Sequence, residues 1–107
     1  MSWLDQSKVN DMNNYFVPYT GKKPASVSIN GHRLVILTVE KDVLEDDLEL
    51  IGADRIRKVR VKGLEEEQEK LFGRLARQVD GGVVLAPSGI DLREILQNLE
   101  EELPWVH

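Results

Sequence analysis

The fold is decided by the stretch Gly81-Gly82-Val83-Val84-Leu85-Ala86-Pro87-Ser88-Gly89. It holds a short apolar run bounded by two glycines and by Pro-Ser-Gly, with a helical pattern on each side. Such a run is typical of a strand that is buried on both faces of an α/β sheet. Ligands of these folds tend to bind just beyond the carboxyl ends of the strands, where the next helix begins. The stretch therefore predicts the architecture and marks the first position at which to look for a site.

Two amphipathic helices are predicted beside this strand. The helix over residues 64–79 has an apolar stripe, with glutamates in its first turn and basic residues later, as the helix dipole favours. Gly73 within this helix is interpreted as a point of close packing against the sheet. The helix after the strand begins with Ser88 and Asp91, which fit a capping box, and it ends before Pro104.

A β-hairpin is predicted around Asn30-Gly31. This pair is the preferred one for a type I′ turn, because both central residues need a positive φ. A two-residue turn places Ile29 opposite His32 and Val27 opposite Leu34. The second strand of the hairpin is apolar on both faces, so we expect it in the middle of the sheet.

The remaining segments have weaker patterns. Residues 3–16 are predicted to form a helix capped by Ser2, and residues 17–24 are predicted to form a loop. Residues 42–53 fit either a helix or a strand. Residues 57–62 alternate between basic and apolar side chains and predict a strand with one solvated face.

Together these elements predict a single α/β domain over residues 1–107. An N-terminal helix and loop (1–24) precede the core (25–103), and a short tail follows (104–107). The core is expected to be a mixed sheet of about four strands, in which an N-terminal β-hairpin is followed by strand–helix crossover units packed with helices. Crossover units imply neighbouring parallel strands. The pattern leaves the strand order open.

The composition restricts the classes of function. The chain has no cysteine, which excludes a disulfide scaffold, a thiol nucleophile and a cysteine-based metal site. Its net charge of −5 disfavours nucleic acid and acidic membranes as partners. The longest apolar run, residues 34–37, is too short to span a bilayer, and the first residues lack the pattern of a signal peptide. We therefore expect a small, acidic, soluble, cytoplasmic protein without a membrane partner.

The turn at residues 87–91 is the first candidate site. Ser88, Gly89 and Asp91 lie where free backbone N–H groups at a helix start could bind an anion or a small ligand. Neither a Gly-x-x-x-x-Gly-Lys-Ser/Thr nor a Gly-x-Gly-x-x-Gly motif occurs in the chain. The favoured interpretation is structural: the serine caps the helix and the glycine eases the turn.

The second candidate is a basic strand. Five of the eight residues from 55 to 62 are cationic, and Lys58, Arg60 and Lys62 share one face of the predicted strand. This face could track the phosphates of a nucleic acid, and Tyr19, Lys22 and Lys23 would extend it if the fold brought them near. The favoured interpretation is a solvated face, or an edge that charge protects against aggregation.

Three further groups carry weaker signals. His32 and His107 have no partner at metal-ligand or triad spacing, so we expect structural roles for both. Glu40, Asp46 and Asp47 could hold a metal ion at a strand end, although capping and solvated helix faces explain them as well. The aromatic residues near the two ends either pack together or form an interface patch; the tryptophans among them are Trp3 and Trp105.

The chain resembles no family by its motifs, and it shows no catalytic, metal-binding or cofactor-binding constellation. The leading hypothesis is a non-enzymatic protein-interaction or regulatory domain, with a homodimer as one form of it. Its surface would be the face of Lys58, Arg60 and Lys62, or the end that carries Trp3 and Trp105. The alternatives are small-ligand or anion binding at residues 87–91, nucleic-acid binding through residues 55–62 and, last, a metal-dependent enzyme.

Overall fold

The computed structural model describes residues 12–63, 65–86 and 89–106. Within these residues, six strands form one mixed sheet, and three α-helices and one 3-10 helix pack on it. In chain order the elements are β1 (Met12–Thr20), β2 (Lys23–Pro24), β3 (Val27–Ile29), β4 (His32–Thr38), α1 (Lys41–Glu45), the 3-10 helix (Leu48–Ile51), β5 (Arg55–Lys62), α2 (Glu65–Val79), β6 (Gly82–Ala86) and α3 (Leu92–Glu102). The predicted α/β class is confirmed, with six strands where the sequence predicts about four.

Four strands form the body of the sheet, in the order β5-β1-β4-β6. Strands β1 and β4 are antiparallel neighbours at Phe16 and Thr38. Strand β5 runs antiparallel along the whole of β1 up to Tyr19, and β6 runs parallel to β4. The parallel neighbours β4 and β6 confirm the predicted crossover. Among the described strands, β5 and β6 are therefore the two outer edges of the sheet.

The two short strands differ in their relation to the prediction, since β3 belongs to the predicted hairpin and β2 lies in the predicted loop. Strand β2 pairs with the end of β1, and β3 pairs with the start of β4. Asn30 and Gly31 have φ values of 51° and 86°, and Ile29 lies opposite His32. The predicted two-residue turn is confirmed, since positive φ at both positions is what a type I′ turn requires.

The predicted N-terminal helix and loop are wrong over residues 12–24, where the structure has β1 and β2; residues 2–11 lie outside the described residues. Tyr15 and Val17 are buried against α2, whereas Phe16 packs on the opposite face of the sheet. Burial that alternates in this way stabilises a strand, and aromatic and β-branched residues favour it. Pro18 fits because its carbonyl accepts a 2.8 Å bond from the Ala25 N–H, while the ring donates none.

Each face of the sheet is covered by a helical layer. Helix α2 covers one face, where Leu71 and Leu75 pack on Val35 and Leu37 of β4. The other face is covered by α1, the 3-10 helix and α3, whose buried residues are Leu44, Ile51, Leu92 and Ile95. The segment 42–53, which the sequence left open, holds most of α1 and the whole 3-10 helix and no strand, and the 3-10 helix ends at Gly52, whose φ is 66°. The central position predicted for the second hairpin strand is confirmed, because β4 is buried from Leu34 to Thr38.

Strand β6 departs from the prediction of burial on both faces. It is an edge strand that pairs only with β4 among the described strands, and Leu85 is 42% exposed. The capping box predicted for the next helix is also wrong in its register. Asp91 is itself the N-cap of α3, and its Oδ1 accepts a 2.9 Å bond from the Glu94 N–H; Ser88 lies outside the described residues.

The two glycines singled out near α2 have different roles. Gly81 follows the helix in a Schellman arrangement, with its N–H bonded to the Ala76 carbonyl at 2.9 Å. A Cβ at Gly81 would overlap the carbonyl oxygen of Arg33, so only glycine fits there. Gly73 is exposed, and a Cβ there would meet nothing within 4 Å. The interpretation of Gly73 as a packing contact is wrong.

Candidate interaction surface on the β5 edge

The outer edge of β5 carries backbone groups that no described strand pairs. Because the Pro18 carbonyl accepts a bond from the N–H of Ala25, the residue after β2, the even-numbered residues of β1 direct their backbone groups toward β2 and β4. The odd-numbered residues of β1 then face β5, opposite its odd-numbered residues. In an antiparallel pair, the N–H and C=O of one residue point to the same side. The outward backbone groups of β5 therefore belong to its even-numbered residues, which are Ile56, Lys58, Arg60 and Lys62.

The side chains of β5 alternate between the two faces of the sheet. Val59 and Val61 pack in the core under α2, and Ile56 packs in the opposite core. Lys58, Arg60 and Lys62 lie on the Ile56 face, and all three are exposed. The predicted strand and its solvated basic face are thus present, and the strand that carries them is an edge.

Two shallow cavities run along this edge and share Tyr19 and Arg57. One has a volume of about 370 Å³, and the other has a volume of about 510 Å³. We call them together the basic groove. Its lining residues are Tyr19, Gly21, Lys22, Arg55, Ile56, Arg57, Lys58, Val59, Arg60, Arg74 and Gln78. Six of these are cationic and none is acidic, so the lining of the groove is positively charged.

Helix α2 forms one wall of the groove. Arg74 and Gln78 are four residues apart and therefore lie on the same flank of the helix. Three glutamates of α2 are in its first turn and Glu69 follows in the second; none of the four lines the two cavities. The groove thus lies between a sheet edge whose outward backbone groups no described strand pairs and a helix flank with a basic side chain.

Two contacts fix side chains inside the groove. The Arg57 guanidinium lies over the Tyr19 ring, 5.5 Å from its centroid, in a cation–π arrangement that restrains the arginine. Arg55 Nε lies 3.2 Å from Asp54 Oδ1, and Asp54 Oδ2 accepts a bond from the Gly21 N–H. The described residues contain one further ion pair, between Lys70 and Glu67. Four cations of the larger cavity have no carboxylate partner among the described residues. They are Arg57, Lys58, Arg60 and Arg74.

The sequence identifies only part of this site. The predicted residues Lys58 and Arg60 line the groove, and Lys62 lies further along the same face. Tyr19 and Lys22, which the sequence could not place, are brought to β5 by the pairing of β1. Arg74 was missed, and the only signal for it is its place on α2 outside the buried stripe.

The cavity beside the turn at residues 89–91 differs from the basic groove in the character of its lining residues. The Asp91 carboxylate is bonded to the backbone of α3, and Gly89 has a φ of 81°. The nearest described cavity, of about 230 Å³, is lined mainly by apolar side chains, which include Val84, Ile90 and Leu99. The structure therefore places no basic lining residue beside the predicted anion site, and Ser88 is outside the described residues.

The other predicted residues lie far from a shared site. His32 Nε2 is 2.7 Å from the Pro104 carbonyl oxygen, which is a structural contact with the tail; His107 and Trp3 lie outside the described residues. Trp105 is 68% exposed. Within residues 12–63, 65–86 and 89–106, no three side chains of His, Cys, Asp or Glu are grouped so that they could hold a metal ion.

Comparisons with known proteins give no assignment. No protein-family model matches the chain, and neither a curated protein nor a solved structure matches it. None of the helices in the described part has the length and apolar character needed to cross a membrane. The basic groove is therefore the feature of the described residues that bears on function.

Proposed function

We propose that the protein is a non-enzymatic interaction domain that takes up an extended segment of a partner protein along the β5 edge. The observation that supports this proposal is the row of outward backbone groups of Ile56, Lys58, Arg60 and Lys62 beside the basic groove. An extended peptide that adds to a sheet edge gains main-chain hydrogen bonds, and neighbouring pockets select its side chains. The β5 edge offers both elements, because it is eight residues long and α2 forms a wall beside it.

A second copy of this chain is a poor occupant of the same edge. Pairing of two β5 strands would bring their basic side chains opposite each other, and like charges directly opposite are destabilising. Charged residues on an edge strand are a common device against such self-pairing. The homodimer form of the hypothesis therefore requires another surface, and light scattering of the purified protein tests it.

Nucleic acid is the second candidate for this surface. The exposed face of Lys58, Arg60 and Lys62 favours it, because cations on one face can contact phosphates. The net charge of −5 opposes it, and so do the glutamates in the first turn of α2, which follows directly on β5. A nucleic acid also leaves the outward backbone groups of β5 without strand partners. We therefore place protein binding first.

Amide hydrogen exchange tests the proposal residue by residue. The ligands are peptides of about ten residues, long enough to span β5, built from valine and threonine with Glu, Gln or Lys at four positions. A peptide that adds as a strand protects the Lys58 and Arg60 amides, whereas the Val59 amide is already protected by β1. If none of the three peptides changes exchange at Lys58 or Arg60, the proposed function is wrong.

A matched pair of variants separates backbone pairing from charge. Lys58→Pro removes the outward N–H at an edge position where proline is tolerated, and Lys58→Gln removes only the charge. The proposal expects the proline variant to lose binding of every peptide and the glutamine variant to keep binding of the Gln peptide. Equal losses in both variants would show that the peptide does not pair with β5.

A further inference from the structure

We infer that the partner segment is an extended acidic tract with carboxylates on consecutive residues. This inference rests on the proposed function and adds the chemical class of the partner. It follows from the distribution of the cations on β5, which are not confined to one face of the sheet. Two faces of positive charge select a different ligand from the one that a single basic face would select.

A strand added to the β5 edge would meet cations on both faces of the sheet. Its side chains alternate between the two faces of the sheet. On the α2 side they lie near Arg57 and Arg74, and on the opposite side they lie near Lys58, Arg60 and Lys62. A strand with acidic residues at alternate positions would use only one of these sets. Acidic residues at consecutive positions would use both.

The basic groove favours carboxylates among the side chains of an added strand. Arg57 is restrained by Tyr19, so it loses little freedom when it binds a carboxylate, and a guanidinium can bind a carboxylate through two parallel hydrogen bonds. The basic groove has no acidic lining residue. Since charges farther away than about 8–10 Å are largely screened at physiological ionic strength, these local cations dominate over the negative net charge of the chain.

The acidic runs of this chain are poor sources of an extended strand. The chain has three acidic runs of its own, at residues 45–47, 65–67 and 100–102. The first lies at the end of α1 and in the turn before the 3-10 helix, and the other two lie in α2 and α3. An extended strand cannot come from any of these runs while the helices are folded. The acidic tract is therefore expected on a different protein.

The test compares four peptides of equal length by fluorescence anisotropy. They carry glutamates at consecutive positions, the same number of glutamates at alternate positions, glutamines in place of the consecutive glutamates, or lysines in those positions. We expect the consecutive-Glu peptide to bind about tenfold tighter than its glutamine counterpart and also tighter than the alternate-Glu peptide. The lysine peptide is expected to bind weakest of the four.

Variants on the two faces provide the matched control. Arg74→Glu and Lys58→Glu each reverse one charge on a different side of the groove, and each is expected to weaken the consecutive-Glu peptide by about tenfold. Arg93→Glu makes the same change at an exposed position of α3 that lines neither cavity, and it should change the affinity by less than about twofold. Equal effects of all three variants would overturn the inference.

The outcomes also separate this inference from the proposed function. If the Glu and Gln peptides bind equally and both protect the Lys58 amide, the acidic partner is wrong and strand addition stands. If no peptide protects that amide, both are wrong. If single-stranded DNA of matched charge binds tighter than the consecutive-Glu peptide, with an affinity that falls steeply with salt, the surface is a nucleic-acid site and both are again wrong.

Discussion

The two outer edges of the sheet, β5 and β6, expose backbone in opposite chemical settings. Strand β5 has eight residues, of which five are basic, and its basic side chains project from both faces. Strand β6 has five residues and no charged side chain, and Leu85 on it is 42% exposed. An unprotected edge invites pairing with other chains, and natural proteins limit this with charge or with short strands. Here β5 is the charged edge and β6 is the short one.

This difference shows why β5 is the better candidate for a specific partner. In the proposed function, a long edge with positive charge disfavours pairing with its own copies and suits a strand of opposite charge. A short uncharged edge has few backbone groups and no electrostatic selectivity. The two edges also differ in how they are attached, because β6 enters the sheet through the glycine contact at Gly81, whereas β5 is held along its length by β1.

The largest effect is expected where β6 enters the sheet. Gly81→Ala should lower the free energy of unfolding by about 3 kcal/mol, because the new Cβ would overlap the Arg33 carbonyl and the backbone must move. Chemical denaturation measures this loss. Gly82→Ala is the matched control, since its Cβ would meet only the end of the Leu34 side chain at 3.2 Å. Equal losses for the two variants would contradict the role assigned to Gly81.

The next effect concerns the charge of the β5 edge. The triple variant Lys58→Glu, Arg60→Glu and Lys62→Glu should weaken the consecutive-Glu peptide by about a hundredfold, as three charge pairs become three repulsions. The lysine peptide should bind this variant tighter than it binds the wild type. Anisotropy measures both affinities. Failure of the lysine peptide to gain affinity would show that charge does not select the ligand.

The third prediction concerns self-pairing. Replacement of Lys58, Arg60 and Lys62 by threonine keeps the strand propensity of β5 but removes its repulsive charge. Sedimentation of this variant should show a mass that rises with concentration, more steeply than for the wild type. If the two proteins sediment alike, these charges do not keep copies of β5 apart.

The smallest effect is expected at a position remote from both edges. Gly73→Ala should stabilise the protein by about 1 kcal/mol, because alanine is the better helix former and the site is open. The affinity for the consecutive-Glu peptide should not change. Thermal unfolding and anisotropy measure the two quantities, and a loss of stability would restore the rejected packing role of Gly73.

The elements that the sequence predicts well are those with strong local signals. The hairpin around Asn30-Gly31 follows from turn chemistry, and α2 and α3 follow from regular apolar stripes. Strand β1 was missed because its residues 12–16 follow a loosely helical pattern rich in asparagine and because Pro18 reads as a loop signal. The interactions that make it a strand come from β5, whose paired residues lie 36 (Tyr19 to Arg55) to 50 (Met12 to Lys62) positions further along the chain.

The sequence likewise predicts only the part of the candidate site that has a strong local signal. The cations of β5 are visible as an alternating run, and their shared face follows from the strand period. The groove also needs Tyr19 from β1 and Arg74 from α2, and only the folded topology brings these together. The buried strand predicted for residues 83–86 fails for a similar reason, because an apolar run does not show how many neighbours the strand has.

The central claim is that the outward backbone of β5 is an open edge that accepts an acidic strand. Amide hydrogen exchange of the wild-type protein tests it most directly, without and with the consecutive-Glu peptide. Without peptide, we predict fast exchange at Lys58 and Arg60 and slow exchange at Arg57 and Val59. With peptide, we predict slow exchange at all four. Slow exchange at Lys58 and Arg60 in the free protein, or no change on addition of the peptide, would contradict the claim.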